Sequence, residues 1–143
     1  MTNYKLVLKK FGFPNSLIKK YNHWYWLIRP FQVTLGSSIL ITKNDYRNFS
    51  DLDKDCFCEL KLIIDEIEKT LIKKINYKKI NYLMLMMNDP IVHFHIIPRY
   101  ENERTFSNKS VKDFGYPGPP DLSNGILLSG DEIIKLQKIL TKN

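Results

Sequence analysis

Cysteine is scarce in this sequence, with two thiols, Cys56 and Cys58, among 143 residues. They lie two positions apart in a helical pattern, so their side chains point about 200° apart and suit neither a disulfide nor a shared metal ion. We expect both to be reduced thiols. Glycine and proline are also few, with six and seven residues, which excludes a fibrous or disordered chain.

Long apolar runs are missing as well. The longest, such as residues 82–87, fall far short of the ~20 residues that a membrane-spanning helix needs. The first five residues contain no apolar segment behind a basic start, as a secretion signal would. We therefore expect a cytoplasmic protein with no membrane partner.

Positive charge is abundant, with 22 Lys+Arg against 15 Asp+Glu and a net charge of +7. This excess favours anionic partners such as nucleotides, nucleic acid or acidic proteins. The lysines are scattered along the chain in pairs, so charge alone selects no partner. The length of 143 residues and the 43% hydrophobic content predict a single globular domain over residues 1–143.

The pattern of apolar residues predicts the secondary structure. Aromatic and β-branched residues predict neighbouring strands at residues 24–28 and 32–41. A helix is predicted from Ser50, where apolar residues begin to repeat every three or four positions, to Lys73 and Lys74. The remaining elements are strands at 79–87 and 92–100 with a turn at 88–90, a loop at 101–124 and a helix at 131–140. This order predicts an α+β fold, an antiparallel β-sheet with one long helix packed on it and a C-terminal helix.

Histidine is rare, and two of the three histidines, His93 and His95, lie two apart in the strand at 92–100. Residues two apart in a strand share a face, so both imidazoles project together. The simplest interpretation is a polar sheet face that happens to carry two histidines. A metal site using His93 and His95 is a weaker alternative, because zinc needs three or four ligands and the third would have to come from Asp89, from His23 or from an unassigned carboxylate.

Covalent catalysis is a third interpretation of the same pair. A neutral imidazole can attack phosphorus to form a phosphoramidate intermediate, which water then opens, while a neighbouring imidazole protonates the departing oxygen. His93 would be the nucleophile and His95 the orienting group or proton donor. Such a donor contributes about 10²–10⁴-fold to the rate.

The segment at residues 92–99, Val-His-Phe-His-Ile-Ile-Pro-Arg, resembles the signature of the histidine triad superfamily. Pro98 and Arg99 fix the register, so His93 corresponds to the middle, nucleophilic histidine and His95 to the last. The first histidine is replaced by Ile91. The likeness extends over about residues 23–122 and is similar to a bacterial branch described only as histidine triad proteins.

This resemblance implies a function as well as a histidine triad fold. The superfamily binds purine nucleotides, including dinucleoside polyphosphates and nucleoside phosphoramidates, and hydrolyses or transfers them at the α-phosphate through a covalent nucleotidyl-histidine. The resemblance therefore implies a hydrolase or transferase that works as a homodimer and needs no resident cofactor. A divalent cation would accompany the substrate.

Three departures from the family pattern bear on the site. Ile91 has no imidazole, but the resemblance implies that its main-chain carbonyl holds the second ring nitrogen of His93, so we expect slowed rather than absent chemistry. Ser37 follows Gly36 where many members have a histidine. Arg29 stands where members commonly place a short Asn or Asp near the ribose; it would either reach a phosphate or point into solvent, as most arginines do.

The resemblance also places Leu27 on the nucleoside pocket, and Asn88, just before the motif, is the best side-chain candidate for contacting a phosphate. The expected substrate-binding residues are Leu27, Arg29, Ser37 and Asn88.

Two alternatives to an enzyme stay open. One is a nucleotide-binding module whose catalysis was weakened with the loss of the first histidine. The other is a metal-binding or nucleic-acid-associated protein built on His93, His95 and the positive surface. The absence of an evident DNA-binding appendage argues against nucleic acid as the partner.

Overall fold

A computed structural model describes residues 3–142 of the chain. Residues 1, 2 and 143 lie outside this range. Residues 1 and 2 belong to the N-terminal segment in which the sequence predicts no secretion signal. The elements, in chain order, are α1 (Tyr4–Lys10), β1 (Leu17–Lys20), β2 (Trp24–Ile28), β3 (Phe31–Gln32), β4 (Ser38–Thr42), a 3-10 turn (Phe49–Asp51), α2 (Lys54–Ile75), β5 (Lys79–Leu83), β6 (His93–Arg99), β7 (Arg104–Phe106), β8 (Lys109–Val111), β9 (Ile126–Leu127) and α3 (Gly130–Thr141).

The central sheet has five antiparallel strands in the order β1-β2-β4-β6-β5. Two short antiparallel pairs, β3 with β9 and β7 with β8, flank it. In the pairing of β4 with β6, Ile39 lies opposite His95 and Ile41 lies opposite His93. Directly opposed residues share a sheet face, so this register decides which face carries the histidines. The predicted α+β class and antiparallel sheet are confirmed.

The long helix α2 covers one face of the sheet. Its apolar residues repeat at helical spacing and are buried, namely Cys56, Ile63, Ile67, Leu71 and Ile75. They pack with residues of β2 and β4 such as Trp26 and Leu40, whose side chains point away from the histidines. Lys73 and Lys74 occupy the last turn, and Asn76 ends the helix in the left-handed conformation with φ 58°. The predicted helix is confirmed, although it begins at Lys54 after the 3-10 turn rather than at Ser50.

The opposite sheet face is covered by the N-terminal helix α1, which the sequence pattern did not predict. The helix is capped by Asn3, whose side chain accepts a hydrogen bond from the Leu6 amide at 3.0 Å. Its buried side chains join those of the sheet in what we call the α1 cluster: Val7, Leu8, Tyr25, Leu27, Ile39, Ile41 and Ile91. The sheet is therefore sandwiched between α1 on the histidine side and α2 on the other.

The predicted strand at 32–41 is wrong in its length, because a turn separates β3 from β4. Gly36 lies in this turn with φ +92°, a conformation that favours glycine. A Cβ at this position would also lie 3.0 Å from the Ile75 side chain and 3.2 Å from that of Pro98. The break places Ser37 in a turn instead of at a regular strand position.

The segment predicted as a loop at 101–124 contains the hairpin of β7 and β8. A buried ion pair anchors it to β6, since Arg99 Nε donates to Asp113 Oδ2 at 2.7 Å and Nη2 donates to Oδ1 at 3.0 Å. The Tyr100 hydroxyl also donates to the Val111 carbonyl at 2.8 Å. Within residues 3–142, none of the helices has the length and apolar character required to cross a membrane.

Candidate active site

Strand β6 places His93 and His95 on one sheet face, as the strand spacing predicts. Their ring centroids are 5.0 Å apart and the ring planes meet at 73°. Both rings line a cavity of about 420 Å³, called here the histidine cavity. Its lining also includes Lys10, Arg29, Asn88 and Asp89. The structure therefore brings together four of the predicted site residues: both histidines, Arg29 and Asn88.

His93 is held in one tautomer by the main chain. Its Nδ1 lies 2.6 Å from the carbonyl oxygen of Ile91, and because a carbonyl only accepts, Nδ1 carries the hydrogen. The other ring nitrogen, Nε2, is then left with a free lone pair. Burial lowers the pKa of His93 below its usual value, against a smaller opposing effect of the hydrogen bond to Ile91. His93 is therefore a neutral imidazole at pH 7 with its nucleophilic nitrogen available.

Ile91 has two separate roles in this arrangement. Its carbonyl orients His93, as the resemblance implies. Its side chain is fully buried and belongs to the α1 cluster. The position that the resemblance assigns to the first histidine is, in this chain, part of the apolar contact between α1 and the sheet.

His95 is held in the opposite tautomer by Arg29. The guanidinium Nε donates to His95 Nδ1 at 3.4 Å, so Nδ1 accepts and Nε2 carries the hydrogen. Burial is the largest effect on the pKa of His95 and lowers it to about 4, with further contributions from His93 and the Arg29 charge. At pH 7 His95 is a neutral imidazole that presents an N–H group beside the free lone pair of His93.

Arg29 directly follows β2, and two further contacts hold its side chain in place. Nη1 donates to the Phe31 carbonyl at 2.7 Å, and the guanidinium lies 5.7 Å from the centre of the Phe31 ring. An Asn or Asp in this position is too short to make these contacts together with the one to His95. Arg29 thus brings a fixed positive charge to the wall of the histidine cavity.

An ion pair joins the end of α1 to the loop before β6. Lys10 Nζ lies 2.7 Å from Asp89 Oδ2, and both residues line the histidine cavity. Phe11 lines it too, and its ring approaches the His95 ring edge to face at 6.4 Å. The sequence pattern missed Lys10 and Phe11 because it missed α1. The Asn3 cap and the apolar pair Val7 and Leu8 are the signals that could have located the helix.

Leu27 and Ser37, expected to bind substrate, lie away from the cavity. Leu27 is fully buried in the α1 cluster, because α1 occupies the sheet surface above it. Ser37 is also fully buried. Its hydroxyl donates to the Thr34 carbonyl at 2.7 Å and accepts from the Thr34 amide at 3.0 Å. In this chain Ser37 stabilises the turn before β4 rather than facing the histidines.

A metal site at the histidine pair lacks a third protein ligand in the part of the chain that is described. Between residues 3 and 142, no group of three or more His, Cys, Asp or Glu side chains is arranged to hold a metal ion. The metal-binding alternative is therefore supported only by the imidazoles of His93 and His95.

No family model matches the sequence, and no curated protein matches it either. Solved structures that resemble it include histidine triad proteins at low identity. A histidine triad protein of Sinorhizobium meliloti is 18% identical with a TM-score of 0.70, over 96% of this chain and 93% of that one.

Two further solved structures match the fold. A hypothetical histidine triad nucleotide-binding protein of Sulfolobus tokodaii is 17% identical with a TM-score of 0.64, over 89% of this chain and 81% of that one. The diadenosine triphosphate hydrolase of Plasmodium falciparum is 13% identical with a TM-score of 0.64, over 96% of this chain and 93% of that one. The predicted resemblance is thus confirmed in three dimensions, and this chain has the histidine triad fold.

Proposed function

We propose that the protein is a nucleotidyl hydrolase or transferase that acts at the α-phosphate of a purine nucleotide through His93. The observation that carries the proposal is the pair of opposite tautomers. His93 presents a free lone pair at Nε2, because its Nδ1 hydrogen is engaged by Ile91 at 2.6 Å. His95 presents an N–H at Nε2, because Arg29 donates to its Nδ1. A nucleophile and a hydrogen-bond donor thus face the same cavity.

The proposed reaction has two steps. The lone pair of His93 Nε2 forms a bond to the α-phosphorus, and the bond from phosphorus to the leaving group breaks with its electron pair on the leaving group. Positive charge that develops on the ring is stabilised by the Ile91 carbonyl, which accepts from Nδ1. Water then replaces His93 on phosphorus. Over the cycle one water supplies the hydroxyl to phosphorus, and its remaining proton goes to the leaving group or, where that group is stable as an anion, to solvent. An acceptor other than water would make the same enzyme a transferase.

The charge state of His95 favours one class of substrate. With its pKa lowered to about 4, His95 is a neutral donor at pH 7 that stabilises a phosphate oxygen without giving up a proton. A leaving group that is stable as an anion needs no proton to depart. Dinucleoside polyphosphates meet this condition, whereas the amine of a nucleoside phosphoramidate does not. We therefore expect polyphosphate substrates to react faster. No resident cofactor is needed, and a divalent cation would accompany the polyphosphate.

The test uses diadenosine tetraphosphate and an adenosine phosphoramidate with purified protein. Turnover of the first should be faster, and mass spectrometry should detect an AMP adduct on His93. The His93→Ala variant should lose both turnover and adduct. His23→Ala is the matched control, since His23 bonds through its backbone amide to Glu59 at 2.7 Å and does not line the histidine cavity. Turnover that survives in His93→Ala would refute the proposal.

A nucleotide-binding module without useful catalysis is the second candidate. It is favoured by the absence of a third imidazole, since the Ile91 side chain is buried in the α1 cluster. Calorimetry that finds AMP binding in a protein that forms no adduct would select this candidate over the enzyme.

We also propose that the protein is a homodimer in which the central sheets of two copies join. Strand β5 is an edge strand of the central sheet, and Leu85 and Met87, just after it, expose 48% and 86% of their surface. Light scattering should give twice the chain mass, and a proline at Asn81 in β5 should yield a monomer.

A further inference from the structure

A second cavity, larger than the histidine cavity, lies on the other side of the sheet. It has a volume of about 550 Å³ and is bounded by β1, the C-terminal half of α2 and the end of α3. We call it the lysine cleft. Its floor includes Trp26, which packs with α2 residues, whereas the histidines project on the α1 side. The lysine cleft is therefore separate from the candidate active site.

The lining of the lysine cleft is strongly basic. It contains five ammonium groups and one carboxylate, a net charge of +4: Lys19, Lys69, Lys73, Lys74, Lys142 and Glu66. Glu66 is already engaged, since its Oε1 lies 2.7 Å from Lys19 Nζ. Across residues 3–142, no salt bridge involves any of the other four lysines. More than half of the net charge of +7 on the whole chain is thus concentrated around one cavity.

The helical spacing of α2 creates this concentration. Glu66, Lys69 and Lys73 are separated by three and four residues, so they lie on one face of the helix. Lys73 and Lys74 have an additional role, because positive charges in the last turn of a helix offset its dipole. That role does not extend to Lys69, which lies further from the helix end. Unpaired like charges around one cavity repel each other, and a bound anion would remove this repulsion.

We propose that the lysine cleft binds a short polyphosphate chain, of the kind present in inorganic tripolyphosphate and in nucleoside triphosphates. Ammonium groups bind phosphate oxygens through short, charge-assisted hydrogen bonds. Four lysines without a carboxylate partner match a ligand that carries several negative charges on adjacent groups. The cleft is bounded on three sides and has an apolar floor of Ile18, Trp26 and Leu140, which suits a compact ligand.

The experiment measures tripolyphosphate and ATP binding by calorimetry. The lysine-cleft variant is Lys69→Gln with Lys73→Gln. Both side chains are exposed, and glutamine is a good helix former, so the variant should fold like the parent. The control is Lys54→Gln with Lys112→Gln, which removes the same charge from two exposed lysines outside the cleft. We expect the cleft variant to bind tripolyphosphate roughly tenfold more weakly or worse, and the control to bind it like the parent.

The two ligands and the two variants together decide the outcome. Similar binding of tripolyphosphate and ATP, weakened only in the cleft variant, supports the proposal. Equal weakening in both variants would reduce the effect to net charge and overturn it. If the cleft variant binds tripolyphosphate as tightly as the parent, the ligand binds elsewhere, for instance in the histidine cavity. That result would also overturn the proposal. The parent protein could also bind a single-stranded oligonucleotide but not tripolyphosphate, and the cleft variant could lose that binding. This result would overturn the proposal and identify the lysine cleft as a nucleic-acid surface.

Discussion

The contact between Arg29 and His95 contributes to the charge state of the candidate active site, after burial and the neighbouring His93, and the substitution Arg29→Gln tests it. Nε of Arg29 and Nδ1 of His95 are 3.4 Å apart. Two unit charges about 4 Å apart interact by about 1 kcal/mol in water and about 4 kcal/mol near a protein surface. One pKa unit corresponds to about 1.4 kcal/mol. Burial lowers the pKa of His95 most, followed by His93 and then Arg29, and together they bring it to about 4. Removal of the Arg29 charge should therefore raise it by roughly one unit or less.

Nitrogen NMR of the imidazole rings, recorded from acid to neutral pH, measures both the pKa and the tautomer of His95. The parent protein should titrate near pH 4 with Nδ1 unprotonated above that pH. Arg29→Lys keeps the charge and should titrate close to the parent. A pKa of His95 that stays near 4 in Arg29→Gln would show that burial and His93 alone set the charge state, and the assigned role of Arg29 would be wrong.

Three further outcomes follow from the packing. Ile91→His should lower the free energy of unfolding by about 2–4 kcal/mol, because it buries an imidazole in the apolar α1 cluster. It should also leave turnover no faster than in the parent. A faster variant with an unchanged melting temperature would contradict this prediction. Asp113→Ala should cost about 3–5 kcal/mol in a denaturant titration, because it leaves the buried Arg99 charge unpaired; a loss below 1 kcal/mol would show that water reaches the pair. The pKa of His95 is lower in the folded state, about 4 against 6.5, so the unfolded chain takes up the proton first. The stabilisation from neutral His95 should be complete above about pH 6.5 and should be lost as pH falls to about 4; thermal melts of the parent and of His95→Asn should converge across this range.

The sequence predicted the parts of the fold that rest on long or regular patterns. Helix α2 carries five buried residues at helical spacing over 22 residues, and β6 alternates between the two sheet faces. These patterns are strong because each repeats several times. The placement of His93 and His95 on one face follows directly from the strand period, as does their proximity.

Helix α1 could not be predicted with the same rule, because its seven residues make fewer than two full turns of apolar repeat. That omission explains the mistaken placement of Leu27, since the sequence did not indicate that another element covers its sheet face. The position of Ser37 depended on a different signal. Hydrogen bonds of the Thr34 and Gln32 side chains, to the Ser37 hydroxyl, the Pro98 carbonyl and the Gly36 amide, hold the turn at Gly36. Such side-chain contacts are not visible in a propensity pattern.

The contact between Arg29 and His95 could not be predicted from the sequence for a similar reason. The chain places Arg29 and His95 66 residues apart, and only the pairing of β2 with β4 and of β4 with β6 brings them into contact. The effect of this contact on the tautomer of His95 depends on one hydrogen bond, whose existence no residue pattern indicates.

The ion pair between Lys10 and Asp89 has a consequence for how ligands reach the histidine cavity. Its lysine side chain is 53% exposed and its aspartate 14% exposed, and a pair so close to water contributes only about 0–1 kcal/mol. Such a contact breaks and forms on the timescale of side-chain rotation, far faster than a typical catalytic cycle. An arriving phosphate would compete with Asp89 for the same ammonium group, and dissolved salt would weaken both interactions. A phosphate bound in the histidine cavity, as proposed, would therefore exchange with Asp89 for the Lys10 ammonium group without unfolding of α1.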